Sequence, residues 1–381
     1  VGPRASTSGD EALADVREVL DALGETFPWE LAGRREPGGL LVGSRSAPVS
    51  RVLCSIDLTG DVVEAAAATR SELLVVHHPQ MLRCGPAPWD ADSPAGRLAG
   101  KALSAGVNIA ACYRNADVAS GGAADLMALR LGLVRTVPIL PARGAFLAKV
   151  SVFVPPEALE QVFSAMAAAG AGAIGDYTHA GFRTTGTGTF VPREGARPYS
   201  GEPGRLNLVE EVRLEMVCPS FRVEAVVEAM LEQHPYEEAA YDIYRSEAPV
   251  PWGVGRAGWL EEERTLLSIM EDLADWSASE DAVLVGDPER KVTRVAVAPG
   301  SADRLIERAW SQGAELLAAG EVGWHATVEA CERGLALVCL GHLESERALV
   351  PAMVSIIGAA SEKRGWGLEV EGYKDRGGRW G

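Results

Sequence analysis

Five residues of the kinds that hold metal ions stand at three places along the chain: the doublet His77-His78, then Asp117, then His342 with Glu346. Histidine is scarce, at positions 77, 78, 179, 234, 325 and 342 only, so an adjacent pair draws notice. Imidazole suits Zn, Fe, Mn or Ni, and a carboxylate can bridge two such ions. Positions i and i+4 share a helix face, so His342 and Glu346 can converge. Two neighbours inside a strand point to opposite faces. Just past a strand end the chain turns, and both histidines can then face one cavity, each serving a different ion. Two ions held in this way support hydrolysis of a carbonyl, amidine or phosphoryl group. Each residue also has a plainer reading. His77 and His78 could be hydrogen-bonded structural histidines, Asp117 a loop or cap residue, and His342 and Glu346 the solvated start of a helix.

The surrounding pattern would bring these residues together. The spacing predicts a helix over Gly9–Leu23, a buried strand over Arg51–Leu58, a helix over Asp61–Arg70, and a second strand over Leu73–Val76 that runs into His77. A helix over Gly96–Ala105, a strand over Val107–Ala111 and a helix over Asp125–Leu131 follow. A later segment repeats the rhythm, with strands at Arg294–Ala298, Glu315–Ala319 and Leu335–Leu340 and helices at Ala302–Gln312 and Val322–Arg333. Strands alternating with helices imply a mostly parallel sheet. All five candidate ligands follow the C-terminal ends of strands, where open α/β sheets gather ligands. Val52 to His77 spans 77 − 52 = 25 residues, and Val295 to Gly320 spans 320 − 295 = 25, which reads as two copies of one unit.

Between the copies, strands at Leu147–Val154 and Val209–Val217 and helices at Glu157–Ala169 and Phe221–Gln233 suggest a ferredoxin-like insert. The Gly/Thr-rich stretch Gly181–Pro192 reads as a tight turn, and His234-Pro235-Tyr236-Glu237-Glu238 as a strand entry. The expected fold class is therefore α/β. Two pseudo-symmetric α/β halves, residues 1–145 and 253–381, form one main domain, with an α+β domain over residues 146–252 inserted between them.

Composition excludes several classes. A formal charge of −17 opposes nucleic-acid binding. No apolar run is long enough to span a membrane. The segment VGPRASTSGDEALADV has no apolar leader core, so a cytoplasmic protein is expected. The cysteines (54, 84, 112, 218, 331 and 339) include no CxxC pair and read as reduced, mostly buried thiols.

At the candidate ligands the sequence resembles the dinuclear-metal-centre family called NGG-interacting-factor-three-like, or GTP cyclohydrolase type-two homologues. The resemblance lies in "SELLVVHHP", "SPAGRLAGKALSAGVNIAA", "NADVASGGAADLMALRLGL" and "GLALVCLGHLESE". It extends to "GAIGDYTHAGFRTTGTGTF" and "HPYEEAAYDIY" in the insert. It implies a toroidal homo-hexamer and two divalent ions held by His77, His78, Asp117, His342 and Glu346, with Glu346 bridging. It also implies an insert similar to trimeric signalling and copper-tolerance proteins.

Three places depart from the family pattern. Tyr113 replaces a histidine ahead of Arg114-Asn115-Ala116-Asp117, Glu36-Pro37-Gly38-Gly39-Leu40 replaces "DNVGL", and Trp324-His325 keeps one histidine of a pair. A phenol with a pKa near ~10 is a poor base at pH 7. The expected function is a metal-dependent hydrolase of a small, nucleotide-like or heterocyclic substrate, with Tyr113 and His325 catalytic and Arg114 and Trp324 binding substrate. Metal storage or delivery, a regulatory scaffold, and a repurposed enzyme of specialised metabolism are the alternatives.

Overall fold

The computed structural model describes residues 13–32, 38–79 and 90–374. Cys84, Glu36, Pro37 and the Gly9 start expected for the first helix lie outside them. The chain forms two compact units, one made of residues up to Ala142 together with Pro251 onward, the other of Arg143–Val250.

In the first unit, β1 (Ala14–Asp15) leads into α1 (Val16–Thr26). The helix starts later than its apolar periodicity predicts because Asp15 and Glu18 form a capping box at its N-terminus. Leu13 lies outside the helix and is exposed. Next come β2 (Gly39–Val42), β3 (Pro48–Val49), which pairs with β1, and β4 (Arg51–Asp57). They are followed by α2 (Gly60–Thr69), β5 (Leu73–His78), α3 (Pro94–Ser104), β6 (Asn108–Ala111), α4 (Arg114–Val118), α5 (Ala123–Leu131) and β7 (Val134–Pro141).

The second unit runs β8 (Leu147–Val154), α6 (Leu159–Ala168), β9 (Gly181–Phe190), β10 (Asn207–Pro219), α7 (Val223–Gln233) and β11 (Tyr241–Ser246). Its antiparallel sheet has the order β11-β8-β10-β9. The Gly/Thr-rich stretch read as a turn is instead the edge strand β9, paired along its length with β10. Its threonines favour extended backbone, and a side chain at Gly188 would collide with the Glu211 carboxylate. His234 enters no strand. It caps the end of α7, its Nε2 lies 3.0 Å from the Phe153 carbonyl, and its Nδ1 accepts from the Tyr236 amide.

The chain returns to the first unit with β12 (Gly253–Thr265), α8 (Leu266–Ser277), β13 (Val283–Val285), β14 (Lys291–Ser301), α9 (Ile306–Ser311), β15 (Leu316–Glu321) and α10 (Trp324–Glu332). The end of the chain supplies β16 (Ala336–Cys339), α11 (His342–Glu346), α12 (Leu349–Arg364) and β17 (Glu369–Gly372). Two sheets result, β17-β4-β5-β6-β2 and β13-β16-β15-β14-β12-β7. In the first, β17, β4, β5 and β6 run parallel, and in the second β14, β15 and β16 do. Each parallel core is buried on both faces, which is why its strands read as unbroken apolar runs. Val52, Cys54 and Ile56 pack toward α1 and α12, while Leu53, Leu74 and Val76 pack toward α2 and α3.

The two halves share a construction detail. The Glu72 carboxylate accepts from the amides of Ser50 and Arg51 at the start of β4, and Glu315 accepts from Thr293 and Arg294 in β14. The offsets agree: 315 − 72 = 243 and 294 − 51 = 243. The same offset sets His77 against Gly320 and His78 against Glu321.

No helix among the described residues is long and apolar enough to cross a membrane. Cys54, Cys112 and Cys218 are buried free thiols, whereas Cys331 is exposed.

Candidate metal centre

Both histidines of the doublet lie inside β5, as its last two residues, rather than beyond it. Pairing with β6 ends at Val76, so they occupy the C-terminal rim of the sheet. There the rings converge despite strand alternation, with centroids 4.5 Å apart. Each is held from behind. His77 Nδ1 lies 2.8 Å from the Cys112 carbonyl, and His78 Nδ1 lies 2.9 Å from Asp57 Oδ1. His342, the first residue of α11, is held likewise, its Nδ1 3.0 Å from Glu321 Oε1. Fixing one ring nitrogen in this way orients the other toward a ligand position.

Glu346 is the common point. Its Oε2 lies 3.0 Å from His78 Nε2, 3.6 Å from His342 Nε2 and 3.8 Å from His77 Nε2. Asp117, in the short helix α4, places Oδ1 3.4 Å from His77 Nε2. His77, His78 and Glu346 form a compact, buried set of donors suited to an ion. His77 Nε2 and Glu346 Oε2 are buried without a hydrogen-bond partner in proper geometry. Such groups ordinarily cost about 1–3 kcal/mol each. An ion between them would satisfy both, so the donors present fit a metal.

Glycines make the room. A side chain at Gly300 would meet Glu346, and one at Gly320 would approach Ser345 Oγ to 2.5 Å and the Gly300 carbonyl to 2.7 Å. Gly320→Ala should therefore destabilise the fold by roughly 1–3 kcal/mol and weaken metal retention. Equilibrium unfolding and metal analysis of the dialysed variant check this, and an unchanged midpoint counts against the packing argument.

Of the other expected site residues, Tyr113 lines the small cavity of about 160 Å3 here, its ring 5.8 Å from His77 and 6.0 Å from His78. Arg114 lines it too. Trp324 and His325 do not reach it. They open α10 on the surface, and neither is among the residues lining this cavity.

The metal-free electrostatics favour protonated imidazoles. Burial alone would lower the His78 pKa, but the hydrogen bond to Asp57 and the adjacent Glu346 carboxylate overcome it and push it up to about 10. His77 is raised in the same sense, because the neighbouring carboxylates of Asp117 and then Glu346 outweigh burial. Burial would raise Asp117, but His77 and then Arg114 hold it below the ordinary carboxylate range. Metal ligation needs neutral imidazole. At pH 7 an incoming ion must displace bound protons, so apparent affinity should rise from pH 7 toward about 10. Calorimetric titration in buffers of different ionisation enthalpy should show at least about one proton released per chain at pH 7. A slope of zero would contradict this.

The sequence profile of Duf34/NIF3 (NGG1p interacting factor 3) matches residues 14–376. The chain belongs to the Duf34/NIF3 family. A relative from Bacillus subtilis (strain 168), named "GTP cyclohydrolase 1 type 2 homolog", is 37% identical over 86% of this chain and 87% of its own length. A protein of the same name from Mycobacterium tuberculosis (strain ATCC 25618 / H37Rv) is 35% identical over 88% of both chains. The crystal structure of a Bacillus cereus protein related to NIF3 superimposes with a TM-score of 0.84 at 32% identity, covering 97% of this chain and 99% of that one.

For this Duf34/NIF3 protein, sequence reasoning missed Asp57 and Glu321, the carboxylates behind His78 and His342. Both end parallel strands, the same position that marked the histidines. Glu321 is also the residue that the 243-residue offset sets against His78.

Proposed function

We propose that the chain is a metal-dependent hydrolase acting on a small anionic heterocycle, with two divalent ions held by His77, His78, Asp117, His342 and Glu346. The observation that carries this reading is the pair of buried, partnerless atoms, His77 Nε2 and Glu346 Oε2, facing each other across the cluster. Ions held there supply Lewis-acid polarisation of a carbonyl, amidine or phosphoryl group. Arg114 offers a guanidinium to an anionic substituent at the same cavity. Tyr113 faces both imidazoles of β5, and a phenol is a poorer general base at neutral pH than an imidazole.

The test is turnover of GTP, phosphoesters and cyclic amides by metal-loaded protein. The unmodified chain is expected to open or hydrolyse GTP poorly, because Tyr113 supplies no base. Tyr113→His should raise hydrolysis by up to about 10²-fold, the low end of what a positioned general base contributes. Robust GTP turnover by the unmodified protein would overturn this role for Tyr113.

A second reading, metal storage or delivery, is favoured by the size of the cavity. About 160 Å3 is small beside ordinary ligand sites of about 300–1,000 Å3. Exchange of bound metal with no turnover on any of these substrates would select it.

A further inference from the structure

The first sheet has a place where its connections part. From β4 the chain leaves through α2 to β5, and α2 packs on the face of Leu53 and Leu74. On the other side of β4 lies β17, reached through α12, which packs on the opposite face against Val52, Cys54 and Ile56. Crevices at such switch points, outside the carboxyl ends of parallel strands, are where open α/β sheets bind ligands.

A cavity of about 640 Å3 opens at this position, between the ends of β4 and β17 and the flanks of α2 and α12. Its volume is within the roughly 300–1,000 Å3 range of small-molecule sites. It shares no lining residue with the cavity at the metal centre. Ile56, Val62, Leu343, Val350 and Val354 give it a largely apolar wall.

Four charged side chains border it: Asp57, Asp61, Arg347 and Lys374. Asp57 is committed to His78. Asp61 sits in the first turn of α2, where the helix dipole favours a negative charge. Arg347 makes only long contacts, 3.3 Å to the Ser277 carbonyl and 3.8 Å to Glu344. Lys374 is exposed and makes no ion pair among the described residues. Arg347 and Lys374 are the two cations at the crevice without a close carboxylate among the described residues.

We propose that this crevice binds an amphipathic organic anion, a molecule with an apolar ring body and one carboxylate, sulfonate or phosphate directed at Arg347 and Lys374. The site is independent of the metal reading and stands if that reading fails.

The experiment is a fluorescence titration of the full chain with 1-anilinonaphthalene-8-sulfonate, which pairs fused rings with one anionic group. The expected result is a single saturable site per chain. Arg347→Gln should weaken it by about tenfold, equivalent to about 1.4 kcal/mol. Ser355→Trp, at an exposed position of α12 on the cavity wall, should fill the crevice and weaken binding at least as much. The uncharged N-phenyl-1-naphthylamine should bind more weakly than the sulfonate. Absence of saturable binding overturns the proposal. So does binding of unchanged affinity in both variants, each shown to be folded by circular dichroism, because the probe would then lie elsewhere.

Discussion

Glu346→Ala should leave a folded chain that no longer retains divalent metal through dialysis, with affinity reduced by more than about a hundredfold. Losing even an outer partner of a metal site typically costs about 10–100-fold. Glu346 Oε2 is the nearest carboxylate oxygen to His78 Nε2 and lies within 3.8 Å of the other two histidines' Nε2 atoms. No other residue in the cluster touches all three. Its removal also strips a buried carboxylate from the protonated His78 imidazole, so stability without metal should fall at pH 7. Asp57→Asn is the graded comparison. It keeps a hydrogen-bonding group beside His78 Nδ1 but loses the charge, and should weaken retention within that 10–100-fold range. Elemental analysis of the purified variants decides. Full metal content in Glu346→Ala would place the ions elsewhere.

Arg256→Met should be the most destabilising single change of those considered, costing about 3–5 kcal/mol in chemical denaturation, the usual effect of stripping one partner from a buried ion pair. Arg256 is 3% exposed, yet all its N–H donors are used. Nε and Nη2 grip Asp125 at 2.6 and 2.8 Å, Nη1 reaches the carbonyls of Gly253 and Gly255, and Nη2 also donates to Ala119. Removing the guanidinium leaves three carbonyls and a carboxylate without these partners. Ala119 follows α4, which carries Asp117, so metal affinity should fall as well. Arg256→Met combined with Asp125→Leu should recover much of the stability, since an apolar pair leaves no uncompensated charge. Arg256→Lys should not rescue, because an ammonium cannot reproduce the planar fork. A single-variant loss below about 1 kcal/mol would contradict the assignment.

The α/β class and the order of strands and helices were legible, and so was the grouping of His77, His78 and Glu346, because buried parallel strands leave continuous apolar runs and their C-terminal ends are where polar residues reappear. Helix starts were less so. Asp15 and Glu18 cap α1 through side-chain hydrogen bonds that periodicity does not register, which set the start too early. The Gly181–Phe190 strand was hidden by its glycines, whose place depends on a partner strand and on Glu211. The supports at Asp57 and Glu321 were hidden for another reason. A carboxylate at a strand end is unremarkable until the imidazole it holds is known. Trp324 and His325 were drawn toward the site by the paired-histidine pattern of the resembled family, and both stand at the exposed start of α10.

In the internal repeat, one lattice point holds His78 in the first copy, where it faces the cluster, and Glu321 in the second, where it only steadies His342. The neighbouring point holds His77 in one copy and Gly320 in the other, and Gly320 is hemmed in by Ser345 and the Gly300 backbone. A histidine at 320 would need Ser345 and the 300 backbone to move first. The two copies are thus no longer interchangeable at these points, and a single substitution at 320 could not make them alike without moving Ser345 and the 300 backbone.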